Sequence, residues 1–251
     1  MPLTVCVPIN ALDRTFTEPE GRGLGEWFST PGPVSFLLFA MEQVNPTKYD
    51  GSIQILETAL RAMQAADGGV RDGDRMPDAV HTEPHVDAAS AFLIASGHPI
   101  ENTPWPGPAE RAWVWFRSHV LDLENRVIYQ GWRYESGEPS TIFATDAHSW
   151  TMAGPVGDRI AQEFGLEALR QLSLTLLHRS LVEITWTRPD GITQTRLLFD
   201  FTDPTGPEVM RPIVDEHGHS DYGVARGGYH PLGSTEWTAG VVLAFQKNAV
   251  R

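Results

Sequence analysis

A mainly α chain of helical hairpins, with β-hairpins inserted between them, is what this sequence predicts. Three observations carry that prediction. Apolar residues recur at helical spacing in several segments of about three turns. Four of those segments are introduced by a similar signature, a hydroxyl residue followed by a proline or a carboxylate: Ser29-Thr30-Pro31, His81-Thr82-Glu83-Pro84, Ala144-Thr145-Asp146 and Ser234-Thr235-Glu236. The period changes to strand-like alternation in two stretches, 126–145 and 182–201.

Residues 1–26 hold Pro2, Pro8, Pro19 and clustered glycines, which break any period and predict an irregular N-terminal arm. From Ser29, residues Val34, Phe36, Leu37, Leu38, Phe39 and Met41 are apolar almost all round, the composition of an inner helix, and Asn45-Pro46 ends it. A second helix over about 50–66 is amphipathic through Ile53, Ile55, Leu56, Ala59, Leu60 and Met63, and Asp67-Gly68-Gly69 stops it. The pair reads as one hairpin, greasy helix inside and amphipathic helix outside. The unit recurs as Val86–Ala95 followed by 109–123, the latter with Trp113, Trp115 and Phe116, and again as a helix around Trp150 and Met152 followed by 158–180. Between these, Val127, Tyr129, Trp132 and Tyr134 alternate with polar residues. Residues 182–201 alternate around Arg188-Pro189-Asp190-Gly191, a hairpin turn sequence. Residues 203–233, rich in proline and glycine, read as a long ordered loop, and Glu236–Phe245 as the last inner helix. The four helix starts are 52, 63 and 90 residues apart, so the repeat is degenerate with growing insertions, and residues 1–251 are expected to form a single domain.

Composition sets limits on partners. The 251 residues carry a formal charge of −13, which argues against nucleic acid and anionic membranes, both of which attract basic surfaces. No stretch approaches the roughly 18 apolar residues of a spanning helix, and the first residues lack a basic, then apolar, leader pattern; a cytoplasmic protein is expected. The single Cys6 excludes an internal disulfide. No cofactor motif appears: neither a Walker loop, nor a dinucleotide-binding glycine pattern, nor a nucleophile elbow, and Gly21-Arg22-Gly23-Leu24-Gly25 follows no strand. Composition leaves the oligomeric state open.

Ser29-Thr30, the exit Asp67-Gly68-Gly69-Val70, Thr82-Glu83-Pro84-His85-Val86-Asp87-Ala88, Thr145-Asp146-Ala147-His148-Ser149-Trp150 and Thr235-Glu236-Trp237-Thr238-Ala239-Gly240 together resemble the six-hairpin glycosidase-like (α/α) toroid proteins over about 27–246. The resemblance implies a ring of hairpins whose inner-helix starts line a carbohydrate-binding cleft. About four hairpins are recognisable where a full toroid has six.

Glycoside hydrolysis needs two carboxyl groups facing one bond, one held protonated and one acting as base or nucleophile. The repeat would bring Glu83, Asp146 and Glu236 to one mouth as candidate catalytic groups, with Asp87 one turn after Glu83 on the same helix face. His85, His148, Trp132, Tyr134, Trp150 and Trp237 are the candidate substrate contacts, aromatic rings being suited to stacking on pyranose faces. Each has a plainer reading: an acid in a first helical turn answers the helix dipole, and an aromatic ring packs in a core. His81, Glu83, His85 and Asp87 also invite a metal reading, but Pro84 leaves His81 outside the helix and the His-Glu-x-x-His order is missing, so no metal is expected. His217 and His219, among Asp215, Glu216 and Asp221, read as solvated loop residues. The expected function is glycoside hydrolysis of a neutral oligo- or polysaccharide. The alternatives are a sugar isomerase, epimerase or lyase with His85 or His148 as base, and a non-catalytic carbohydrate-binding protein.

Overall fold

The structure, a computed structural model, describes residues 30–73, 78–206, 209–214, 220–225 and 233–250. The expected N-terminal arm, Cys6, His217 and His219 lie outside the described residues.

Helix α1 (Pro31–Val44) turns directly at Asn45 into α2 (Pro46–Met63). The Asn45 side chain accepts from the Lys48 amide at 2.9 Å, and Pro46 occupies a first-turn position where a missing N–H costs nothing. Strand β1 (Ala79–His81) delivers the chain to α3 (Thr82–Ala95), and α4 (Gly107–His119) returns. Four short strands follow: β2 (Leu121–Asp122), β3 (Val127–Ile128), β4 (Gly131–Arg133) and β5 (Glu138–Pro139). Next come α5 (Thr145–Ala153), α6 (Pro155–Phe164) and α7 (Leu166–Ser180). The expected single helix over 158–180 is therefore two, because Gly165 adopts φ 85°, a left-handed conformation that only glycine takes without strain.

The inserted hairpin is β6 (Leu181–Thr187) with β7 (Thr193–Asp200), turning at Arg188–Gly191 as the sequence predicts. The stretch expected to be loop from 203 to 233 instead carries an antiparallel ribbon, β8 (Val209–Val214) with β9 (Ser220–Ala225). Pro212 on β8 and Gly223 on β9 had masked the alternation there. Strand β10 (Gly233–Ser234) pairs with β7 and leads into α8 (Thr235–Val250).

The helices form an inner row and an outer layer. In the row α1 packs on α3, α3 on α5 and α5 on α8, while α2, α4, α6 and α7 back it from outside. Helix α3 is the centre. Ala88, Ala89 and Ala91 are at most 1% exposed, and such small side chains let neighbours approach α3 from several sides. Outside it, Trp113, Trp115 and Phe116 of α4 are essentially fully buried, each contributing roughly 2–3 kcal/mol from apolar area alone. The short strands lie at the ends where the inner helices begin. β1 precedes α3, β5 precedes α5, β10 precedes α8, and β1 is hydrogen-bonded to β4 of the next insertion. Gly131 makes that pairing possible, since a Cβ there would stand 2.4 Å from the Val80 carbonyl oxygen. Each insertion thus props the start of an inner helix.

Candidate active site

The first turns of α3 and α5 repeat one arrangement, residue by residue, and that of α8, whose Thr235 is exposed, repeats part of it. The amides of Thr82 and Thr145 donate to Gln130 O and Phe201 O, and their hydroxyls donate to Tyr129 O at 2.6 Å and Asp200 O at 2.5 Å. These threonines do not cap their own helices. They are the first helical residues, fully buried, and they tie each helix start to the following insertion. Three positions later a second polar side chain closes the joint. His148 Nε2 accepts from the Ile128 amide at 3.0 Å while its Nδ1 donates to Ala144 O at 3.0 Å. His85 Nδ1 accepts from the Val70 amide at 3.1 Å, and Nε2 donates to Ala112 O at 3.0 Å. On α8 the same place is taken by Thr238, whose hydroxyl accepts from the Phe199 amide at 2.9 Å and donates to Ser234 O at 2.5 Å.

Between these two positions, both buried on α3 and α5, sits the acid. At about 100° per residue, positions one and four of a turn share a face and position two is turned well away from it. Glu83, Asp146 and Glu236 therefore leave the joint and point into common space. They line one cavity of about 80 Å³ with Ser149, Trp150, Trp237 and Gly240. Gly240 keeps α8 close to α5, since a Cβ there would lie 3.3 Å from Ser149 Oγ. The Trp150 indole donates to Glu83 Oε1 at 2.9 Å, and Trp237 is held by stacking on Phe201 at 4.5 Å between ring centres.

Within the cavity Glu83 and Asp146 are partly buried and Glu236 is exposed. Burial, followed by the negative charge of Glu83, pushes the Asp146 carboxyl up to about 7, against the opposing pull of the Ala147 amide, 2.6 Å from Oδ1. Glu83 is also raised, first by burial and then by Glu236, although the Trp150 indole and the Asp146 hydrogen bond hold it back. The pair retains a proton near neutral pH because burial and mutual repulsion both disfavour two adjacent negative charges.

His81, at the end of β1, completes the group. Its Nδ1 lies 2.5 Å from Asp72 Oδ2, and its amide donates to Asp72 Oδ1 at 3.0 Å. Burial lowers its basicity, but the Asp72 hydrogen bond and charge, with the Asp146 charge, outweigh that and leave the imidazole above its ordinary value. Sequence reasoning had considered His81 only as a metal ligand. Its pairing with Asp72 follows from the return of the chain along β1, which spacing alone does not reveal.

The remaining expected site residues lie elsewhere. Both His85 and His148 are wholly buried, and burial drives each down to about 4, so both are neutral pins of the fold. Trp132 meets His119 edge-on at 4.7 Å, and the Tyr134 hydroxyl donates to Asp67 Oδ1 at 3.0 Å; neither ring lines the cavity. Asp87 is among the residues lining a second, largely apolar cavity that Trp150 also borders. Among the described residues, no group of three or more His, Cys, Asp or Glu side chains is arranged to hold a metal ion, and no helix is long and apolar enough to cross a membrane.

A row of inner helices backed by outer ones, with β-hairpins inserted between them, is the arrangement of an (α/α) toroid. A glycoside hydrolase of family 105 from C. acetobutylicum ATCC 824 aligns over 86% of this chain and 56% of its own, with a TM-score of 0.52 and 10% identity. The α-1,6-mannanase of Salegentibacter sp. HEL1_6, in an inactive variant holding α-1,6-mannotriose, aligns over 59% of this chain and 47% of its own (TM-score 0.45, 13% identity). A D-mannose isomerase aligns over 57% and 38% (TM-score 0.42, 15% identity). The chain thus spans about half the length of these proteins or less. The likeness is one of fold. No family profile matches the sequence, and no curated protein does.

Proposed function

We propose that this chain is a carbohydrate-active enzyme that hydrolyses glycosidic bonds of a neutral oligo- or polysaccharide, with Glu83, Asp146 and Glu236 as its carboxyl groups. The observation that carries the reading is the convergence of those three equivalent helix positions on one cavity walled by two indoles. Asp146, raised to about 7 by burial and by Glu83, supplies the proton that the leaving oxygen requires. Glu236, exposed at the mouth, addresses the anomeric side, either directly or through a water, for which the cavity has room (about 30 Å³ each). Glu83, fixed by Trp150, tunes Asp146 by its charge. Trp150 and Trp237 offer faces for a sugar ring. The acidic surface agrees with a neutral rather than an anionic substrate.

A second reading, a sugar isomerase or epimerase, is favoured by His81. An imidazole backed by Asp72 and beside two carboxyl groups is suited to moving a proton on a carbon next to a carbonyl. His85 and His148 do not serve that reading, because both ring nitrogens of each are occupied by backbone groups.

The test is a panel of neutral oligosaccharides and free aldoses incubated with the protein and with Asp146→Asn, Glu236→Gln and His81→Gln, reading reducing ends and solvent deuterium uptake. Hydrolysis predicts new reducing ends, reduced at least about 10²-fold by Asp146→Asn. Deuterium entering an aldose, abolished by His81→Gln, would replace it with the isomerase. Saturable sugar binding with neither product would leave a binding protein.

A further inference from the structure

The carboxyl cluster stands at the rim of its cavity, and the cavity is about one helical turn deep. Glu83, Asp146 and Glu236 are each the second residue of an inner helix, and the three helices begin at the same end. Helical side chains lean towards the N-terminus, so the three carboxyls lie level with the first turn. Ser149, Trp150 and Gly240 come three or four residues later, about 4–6 Å further down. Among the described residues the bottom is closed on two sides. Helices α5 and α8 meet there, since a Cβ on Gly240 would lie 3.3 Å from Ser149 Oγ, and the Trp150 indole bridges α5 to α3 through Glu83 Oε1 at 2.9 Å. The Trp150 ring also walls the apolar groove that continues along Ser90, Ile94 and Ala153, so it partitions the two spaces. At the other end Thr235 and Glu236 are exposed.

From this cup shape we infer that the cavity receives one terminal sugar unit, the non-reducing end of a chain, and that cleavage occurs at that end. The placement rests on the hydrolase reading for its chemistry and on the cavity's walls for its direction. A cleft that cuts within a chain runs past its acids and is open on both sides. Here the space beyond the acids ends after one turn at Ser149, Trp150 and Gly240. Its volume, about 80 Å³, is that of about three waters, enough for the outer edge of one sugar ring and too little for a second. The bond that the carboxyls address therefore lies at the rim, and the rest of the chain leaves past exposed Glu236. Which end enters follows from charge. The positive charge of the transition state develops on the ring whose anomeric carbon is attacked, and seating that ring in the cup places it among three carboxyl groups and out of water. The glycosidic C–O bond breaks, its oxygen takes the proton of Asp146, and one water supplies a hydroxyl to the anomeric carbon and a proton back to the carboxyl cluster. Each turnover then yields one monosaccharide and a chain shorter by one unit.

The probes are α-1,4-gluco-, β-1,4-gluco- and β-1,4-manno-oligosaccharides of two to five units, carrying 2-aminobenzamide at the reducing end for product analysis with the wild type and unlabelled for calorimetry with Asp146→Asn. The first product is expected to be unlabelled monosaccharide, with the label left on a chain one unit shorter. Affinity for Asp146→Asn is expected to level off at the disaccharide, with less than about a two-fold gain from the third to the fifth unit. Gly240→Ala sets a methyl group on the floor beside the Ser149 hydroxyl and should weaken every chain length alike. Labelled monosaccharide as the first product of a longer chain, affinity that climbs through the fourth and fifth units, or binding of none of the probes would each overturn the assignment. Cleavage in mid-chain would overturn it while keeping the hydrolase. Affinity that levels off at the disaccharide without any cleavage would keep the single-unit cup and overturn the hydrolase.

Discussion

The joint and the cavity are built from the same turns of α3 and α5, yet they treat their polar groups in opposite ways. On the joint side, Thr82, His85, Thr145 and His148 are fully buried, and their polar atoms are hydrogen-bonded to backbone donors or acceptors. On the cavity side, one residue along, Glu83 and Asp146 crowd together with their proton affinity raised. The difference teaches that a repeated Thr-acid-x-His turn does two jobs at once. Its satisfied half stabilises the fold, and that stability lets its other half hold acids where they cost free energy, as functional groups commonly do.

The comparison breaks most easily at a histidine. Removing the His148 ring orphans the Ile128 amide, deletes the acceptor-donor link to the preceding insertion and leaves a void beside Phe143, on which the ring stacks at 4.3 Å. An orphaned buried amide costs about 1–3 kcal/mol and an aromatic-sized cavity more, so His148→Ala should lose about 3–5 kcal/mol in urea unfolding. His85→Ala should match it. A loss below about 1 kcal/mol for both would mean that the histidines are not the pins.

The acids should respond in the opposite direction. Asp146 and Asp87 have native values of about 7 and about 8, above those of an unfolded carboxyl. Raised groups of this kind contribute stability that is complete below the unfolded value, near 4, and is lost as pH climbs through the native one. Above about pH 6.5 the two buried histidines are neutral in both states and no longer add a slope, which leaves the raised acids and the raised His81, all losing stability as pH climbs. Wild-type stability is therefore expected to fall between pH 6.5 and 8. Asp146→Asn, which cannot ionise, should be about 1–3 kcal/mol more stable than wild type at pH 8 and indistinguishable from it near pH 4. Chemical denaturation at the two pH values measures this. An Asn variant that is less stable at pH 8 would place Asp146 on the structural side of the comparison.

The sequence revealed the repeat more fully than the use each turn makes of it. Apolar periodicity marked the inner and outer helices, and Arg188-Pro189-Asp190-Gly191 located the β6/β7 hairpin. The fold was legible because periodicity is written locally, and the cavity acids because they recur at one position of a repeated signature. The histidines were misjudged for the opposite reason. Whether a His three residues after Thr meets solvent or two backbone groups depends on Val70, Ala112, Ile128 and Ala144, which come from segments that no local pattern ties to it. The Asp72–His81 pair and the assignment of Asp87 to the neighbouring cavity are long-range in the same sense. Gly165 was overlooked because a single glycine within an apolar period is compatible with a helix that continues, and its positive φ emerges only when α6 and α7 must pack separately.

The α8 turn offers the finest test, because there the joint is made without a histidine. Thr238 reproduces both links of His148, accepting from a strand amide and donating to the carbonyl four residues back, but it is only partly buried. Thr238→Val keeps the shape and removes the oxygen. Water can then reach the freed Phe199 amide more readily than the Ile128 amide sealed beneath His148, so the cost should be about 1 kcal/mol, well under that of either histidine. Because β10 and β7 pair immediately beside that amide, the loss should appear as faster hydrogen exchange at Phe199 and Leu198, with α3 and α5 unchanged. If Thr238→Val instead cost as much as His148→Ala, hydrogen bonding alone would account for the joint, and the volume and enclosure of the histidine rings would add nothing.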